Sequence, residues 1–186
     1  MHPEAYAYVA EWAHGVSGHE FLKIVELGGR NVNGSVRELF PGAHYVSVDQ
    51  VPGEGVDVVA DAATYRPEAA PDLVICCEVL EHSRQANLIV QNALEMLRPG
   101  GTLLVTCAGP HRGPHSAATG GKLREGEYYR NVDPAGLYDW VVWAGVEVER
   151  VRVEYERGVG DVRLMVEKKR FRWASYLNRL LGGRDG

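Results

Sequence analysis

Residues 23–61 read KIVELGGRNVNGSVRELFPGAHYVSVDQVPGEGVDVVAD, and the order of features in this stretch decides the fold. Ile24 to Leu27 form an apolar run that reads as a buried strand. Gly28 to Gly34 read as a loop, Ser35 to Phe40 as a short helix and Tyr45 to Val48 as the next strand. In a strand–loop–helix–strand unit a ligand sits where the loop opens the helix, because glycines admit close backbone approach and free amides face outward there. Asp49 closes the second strand 23 positions after Glu26. An acid about 20 residues on is placed to accept hydrogen bonds from the two ribose hydroxyls of an adenosine.

Working outward, strands and helices alternate. A helix from Pro3 to about His14 precedes the first strand and is placed to cap the pocket, forming an N-terminal cap over residues 1–22. After Asp49 a Pro/Gly turn leads into a third strand, Val56 to Ala60. Leu73 to Cys77 reads as a continuous apolar strand, Asn87 to Leu97 as a helix with Leu88, Val90, Leu94 and Leu97 inward, and Thr102 to Cys107 as another strand. Residues 108–132 form a long polar loop rich in Gly, Pro and His, a length usual for functional loops. Asp133 caps a helix to about Ala144, with Trp140 and Trp143 reading as core. Two alternating runs, Val146 to Tyr155 and Asp161 to Glu167, read as an antiparallel edge hairpin. The expected architecture is α/β: a single-domain, Rossmann-like, doubly wound sheet of seven strands, mostly parallel with an antiparallel edge hairpin.

Size and composition fit this. A chain of 186 residues with 45% hydrophobic content suffices for one packed domain and is short for two. No apolar run approaches the ~20 residues that cross a bilayer. The opening stretch has an acid and no basic cluster, so it does not read as a signal peptide, and a cytoplasmic location is expected. Cys76, Cys77 and Cys107 lie inside apolar runs without paired spacing and read as core. Net charge is -5, which argues against a general polyanion-binding surface. From Glu167 to Arg184, however, six basic residues face one acid, a local balance of +5 on a body of -10. Residues 168–186 read as a basic helix with Phe171, Ala174, Leu177 and Leu181 on one side. That suits docking on the protein body, a partner or an anionic membrane surface, and leaves nucleic acid as a partner to test.

Three pieces in order resemble class I S-adenosylmethionine-dependent methyltransferases, particularly the methyltransferase type 11 family: VELGG with Asp49, CCEVLEH after the fourth strand, and LRPGGTLLVT leading into the fifth. The likeness covers roughly Lys23 to Val166. It implies that Glu26 fixes the glycine loop or the methionine amino group, that Gly28 and Gly29 run beside the methionine portion, and that Asp49, with Gln50 beside it, holds the ribose. Asp61 and the Ala62 amide would meet the adenine edge. Cys77, Glu78 and Val79 would approach the methionine moiety, and Glu81 and His82 match the VLEH signature. The departure is in the loop: Arg30 stands where a second alternate glycine is expected, while Asn31 and Asn33 tolerate left-handed backbone. Arg30 is placed to reach a ligand carboxylate.

The resemblance implies an enzyme that transfers a methyl group to an oxygen or nitrogen of a small-molecule acceptor under the long loop. Such a displacement needs alignment and, for a protonated acceptor, a base. His111 and His115 are the candidate bases, against a reading as solvated loop residues. His14 and His19 are weaker candidates, and Tyr128 and Tyr129 either pack or stack on a planar acceptor. No acid or histidine cluster has ligand spacing, so no metal is expected. Rival readings are a nucleic-acid methyltransferase or binder using the basic tail, a non-catalytic binding module of this fold, and a nicotinamide-dependent dehydrogenase. The last has no use for the CEVLEH and LRPGG pair. The acceptor and the oligomeric state are not written in the sequence.

Overall fold

The structure, a computed structural model, describes residues 2–170. Its centre is set by the two most apolar runs. β4 (Leu73–Cys77) and β5 (Thr102–Ala108) are buried at every position, because helices or loops cover both faces of the sheet there. β1 (Lys23–Leu27) pairs in parallel with β4 on one side and with β2 (His44–Asp49) on the other. β2 in turn pairs with the two-residue β3 (Val58–Val59). β7 (Asp161–Lys168) joins β5 antiparallel, from Thr102 opposite Glu167 to Ala108 opposite Asp161. β6 (Val148–Glu156) closes the edge as its hairpin partner. The order β3-β2-β1-β4-β5-β7-β6 is the expected seven-stranded sheet, parallel except at the β5-β7-β6 edge.

One face of the sheet is covered by α2 (Ala86–Met96) and α3 (Pro134–Trp143), which bury Ile89, Val90, Ala93, Leu94, Leu137 and Val141 against Val25, Val74, Leu103 and Val105. The other face is covered by α1 (Pro3–His14) through Val9 and Ala13, and by Val36 and Phe40 from the β1–β2 crossover. All three cysteines are buried.

Several local expectations are corrected. The helix read over Ser35 to Phe40 is one 3-10 turn, Arg37–Leu39. Between Gly34, at φ 117°, and the Pro41-Gly42 pair there is no room for the turns that repay helix nucleation, and the segment is anchored by burying Val36 and Phe40. The third strand is shorter than Val56 to Ala60, because the Asp57 carboxylate accepts the Ser47 amide at 2.8 Å and pairs with Arg37. On α2 the inward stripe runs through Ile89, Val90 and Ala93, which turns Leu88 outward at 44% exposure. Trp140 is half-buried but Trp143 is 72% exposed: two residues past the buried Val141, at 100° per residue, the helix presents solvent.

The helix ends are closed by side chains. Asp133 Oδ1 accepts the amides of Ala135 at 2.9 Å and Gly136 at 3.3 Å, as the N-cap reading of Asp133 expects. Lys168 is the last residue of β7 and not part of a helix. Its Nζ donates to the carbonyls of Leu94 at 2.9 Å and Leu97 at 2.7 Å and so caps the end of α2. Lys169 pairs with Glu147 at 3.2 Å. The rest of the basic tail, from Phe171, lies outside the described residues.

Gly29 is fixed by its surroundings. A Cβ there would overlap the Ser47 hydroxyl and the Glu26 carboxylate, both buried under the loop. Gly29→Ala should therefore destabilise the fold by about 1–3 kcal/mol, the usual cost of overpacking a filled interior. Urea unfolding at constant m-value checks this, and a change within about 0.5 kcal/mol, the range of neutral surface substitutions, would contradict the packing.

Candidate functional site

A cavity of about 990 Å³ opens at the carboxyl ends of β1, β2 and β4. Gly28 turns the chain out of β1 with φ 78°, a left-handed conformation, and any Cβ there would run into Val79 at the end of β4. Its amide and that of Gly29 both donate to the Val48 carbonyl, at 2.7 and 3.1 Å. The expectation of free outward amides at this loop is thus corrected for Gly28 and Gly29, because the loop folds back on β2 instead of opening a helix. Asp49 receives the Arg30 amide on Oδ2 at 3.3 Å and the Val51 amide on Oδ1 at 2.9 Å. These two bonds brace the carboxylate at the cavity wall and leave lone pairs for a ligand.

Glu26, Gly28, Gly29, Arg30, Asn33 and Asp49 line this cavity, as do Gln50, Ala62, Cys77, Glu78, Val79 and His82. Asp61 does not. Its Oδ1 accepts the Ala63 amide at 2.8 Å, which spends it on the turn beside the wall. Arg30 lies toward the long loop, with Nη2 donating to the Ala117 carbonyl at 3.4 Å. Of the two candidate bases, His115 lines the cavity and His111 does not; His111 sits exposed in a turn at φ 73°. His14 and His19 also lie outside it, His19 bonding to the Ala13 carbonyl at 3.0 Å.

The carboxyl ends of β4 and β7 hold a buried charge cluster that local sequence reading missed. Glu78 leaves β4 with φ 58°, a left-handed conformation unusual for a non-glycine residue and typical of functional sites. Its Oε2 faces Arg112 Nη1 at 3.0 Å and His2 Nε2 at 3.3 Å, and Thr106 Oγ1 donates to Oε1 at 3.0 Å. Asp161, fully buried, pairs with Arg112 and stands 3.2 Å from His2 Nε2. Burial alone would raise the Glu78 carboxyl, but His2 and Arg112 outweigh it and the carboxylate stays ionised. Burial likewise opposes charge on His2, yet Asp161, Glu78 and Glu4 raise its pKa to about 10. His2 Nε2 and Arg112 Nη1, 2.9 Å apart, are thus held together by the carboxylates they share. No local spacing signals this, since the partners come from the amino terminus, β4, the long loop and β7.

Beside it lies a second group. Glu81 is fully buried. One oxygen accepts the Ala108 amide at 3.1 Å, the other has no partner, and burial with the charge of Glu78 pushes its pKa to about 8. His82 and His115 pack edge to face with centroids 4.9 Å apart, and Tyr129 closes the trio against both rings. Burial, then His115, lowers the His82 pKa, so His82 is neutral at pH 7. Tyr128 lines the cavity with the Arg84 guanidinium 4.5 Å above its ring. The structure thus brings Glu81, His82 and His115 together although their spacing shows no cluster, because the loop folds His115 back over the LEH turn.

The sheet order, the cavity at the strand ends and the acid after β2 define the class I methyltransferase fold. Residues 33–105 match the model of a family described as a methyltransferase domain, a stretch that begins just past the divergent Gly28–Val32 turn. A trans-aconitate 2-methyltransferase of Methylobacterium radiotolerans is 29% identical over 163 residues, covering 75% of this chain and 63% of the relative. A ubiquinone biosynthesis O-methyltransferase of Cupriavidus pinatubonensis is 26% identical over 145 residues, covering 69% and 57%. The chain thus spans less than two thirds of the length of either relative. Among solved structures, a Burkholderia thailandensis 1,6-didemethyltoxoflavin-N1-methyltransferase with bound S-adenosylhomocysteine superposes with TM-score 0.60 at 16% identity, over 89% of this chain and 78% of that one.

The charge cluster gives a pH prediction. The folded pKa of His2, about 10, lies above its ordinary 6.5, so its stabilisation is complete below about pH 6.5 and is lost as pH rises toward 10. The melting temperature of the wild-type chain should fall more steeply between pH 7 and 10 than that of His2→Gln. Parallel curves would show that His2 is not held as a cation.

Proposed function

We propose that this chain binds S-adenosylmethionine in the cavity and transfers its methyl group to an oxygen or nitrogen of a small, anionic acceptor. The observation that supports this most directly is the Asp49 carboxylate, braced at the cavity wall beside the Gly28–Gly29 turn. Its two oxygens are positioned to accept from a ribose diol. Ala62, Val79 and Ile89 supply apolar wall for an adenine, and the ionised Glu78 supplies negative charge for an ammonium or sulfonium group. A volume of about 990 Å³ is at the upper end for small-ligand sites and accommodates a nucleoside donor with a small acceptor.

The same loop argues against a nicotinamide dinucleotide. A pyrophosphate needs amides at a helix amino terminus. Here the Gly28 and Gly29 amides are committed to Val48, and only a 3-10 turn follows. An adenosyl sulfonium carries no phosphate and makes no such demand.

When bound, the donor supplies an activated methyl group; the chain's residues align it with the acceptor, exclude water and receive any proton the acceptor gives up. His82, His115 and Tyr128 line the cavity under the long loop, with Tyr129 packed against the two imidazoles, and this reading puts the acceptor there. Arg84 makes no ion pair among the described residues and rests on the Tyr128 ring. A free guanidinium at the acceptor end favours an anionic acceptor, in keeping with the small carboxylate acid named for the Methylobacterium relative. Nucleic acid fits less well as a partner, because Lys168 and Lys169 of the basic stretch are spent on α2 and Glu147.

Calorimetric titration with S-adenosylmethionine tests the reading. The wild-type chain should bind, and Asp49→Ala should weaken binding at least tenfold, about 1.4 kcal/mol. No heat with the wild-type chain, or equal affinity in Asp49→Ala, would overturn it.

A further inference from the structure

The Glu81, His82 and His115 side chains each offer one ligand atom, and these atoms lie within 4.8 Å of one another. We propose that Glu81, His82 and His115 form a binding site for a divalent transition cation at the acceptor end of the cavity.

The preparation of each ligand supports this. His115 Nδ1 lies 3.2 Å from the Gly113 carbonyl, which only accepts, so that nitrogen carries the proton and Nε2 keeps its lone pair. Nε2 is the atom facing Glu81 Oε1, at 3.9 Å. Fixing the tautomer through the second ring nitrogen is how metal-binding imidazoles are oriented. Glu81 is held the same way: the Ala108 amide binds one oxygen, and the other is fully buried without a partner. His82 Nδ1 is likewise buried and unpartnered. Glu81 Oε2 and His82 Nδ1, on adjacent residues, have no hydrogen-bond partner among the described residues, and a cation would engage both residues beside the His115 lone pair.

Tetrahedral coordination at ~2.0–2.2 Å places ligand atoms ~3.3–3.6 Å apart, so closure requires the ligand atoms, now within 4.8 Å of one another, to draw in by up to about 1.5 Å. Two imidazoles and one carboxylate suit Zn²⁺, Mn²⁺, Fe²⁺ or Co²⁺ better than the oxygen-seeking Mg²⁺ or Ca²⁺. His82 and His115 border the cavity, so the remaining coordination positions open toward the acceptor. The neighbouring group of His2, Glu78 and Asp161 also has ligand atoms close together. It is already filled by a cation, since Arg112 Nη1 contacts both Glu78 and Asp161. The described residues thus hold two adjacent clusters of ligand atoms, one already occupied by the Arg112 guanidinium and one left for a metal. A role for that metal in polarising an acceptor oxygen rests on the methyl-transfer reading; the site itself does not.

The test uses the full chain stripped with chelator and titrated with Zn²⁺ and with Co²⁺, without methyl donor, so that it is separable from a failure of donor binding. One equivalent should bind, and bound Co²⁺ should develop a visible spectrum. Glu81→Gln and His115→Ala should each weaken binding tenfold or more, while His111→Ala and His2→Ala leave it unchanged. His115 comes from a loop, so its replacement keeps the test available if the buried Glu81 variant does not fold. Absence of stoichiometric binding, equal affinity in His115→Ala, or a loss confined to His2→Ala would overturn the proposal.

Discussion

Three carboxylates, the buried Glu81 and Asp161 and the half-buried Glu78, stand at neighbouring strand ends, and the placement of the amino terminus and the long loop follows from their removal from water. An ionised carboxylate out of water costs several kcal/mol unless a cation or hydrogen bonds meet it. The sheet's own cation here, Arg163 of β7, rests over the Tyr8 ring at 5.6 Å and makes no ion pair among the described residues. Arg112 is drawn in from the long loop and His2 from ahead of α1, and both converge on Glu78 and Asp161. Asn131 reinforces the arrangement from the far end of the loop, donating to the carbonyls of Gly109 at 2.6 Å and Arg112 at 2.9 Å. The roof of the cavity is thus held by electrostatics, while its floor is held by apolar packing of β4 and β5.

That difference explains what was legible in the sequence. β4 and β5 are buried on both faces, so their apolar runs announced them almost to the residue, and the Asp133 cap and the edge hairpin carried equally local signals. The β1–β2 crossover misled because Ser35 to Phe40 has helical composition, whereas burial of Val36 and Phe40 against the sheet leaves space for one tight turn. Trp143 misled because an aromatic on a helix is ordinarily core, and its angle relative to Leu137 and Val141 shows only in three dimensions. The cavity wall was legible from Gly28, Gly29, Asp49 and the CCEVLEH stretch, since strand ends in a parallel sheet must meet there. The clusters of His2 with Asp161 and of His115 with Glu81 were not, because their members are far apart in sequence.

The division of Glu78 from Glu81 shows how one turn of chain prepares two environments. Three residues apart, the first is ionised by His2 and Arg112 and the second is pushed toward the neutral acid by burial and by the first. Two carboxyls with opposed protonation states at one cavity end give the site both a fixed negative charge and an exchangeable one.

The outermost strand, β6, has a consequence for how these molecules meet one another. Glu149, Arg150, Arg152, Glu154 and Glu156 lie along an edge whose outer backbone groups pair with no further strand among the described residues. A second sheet approaching to extend the ladder would have to align and desolvate this mixed row of charges. The rim is therefore guarded against fibril-like stacking, and crowded solutions of the protein are kept from the aggregation that an apolar border would invite.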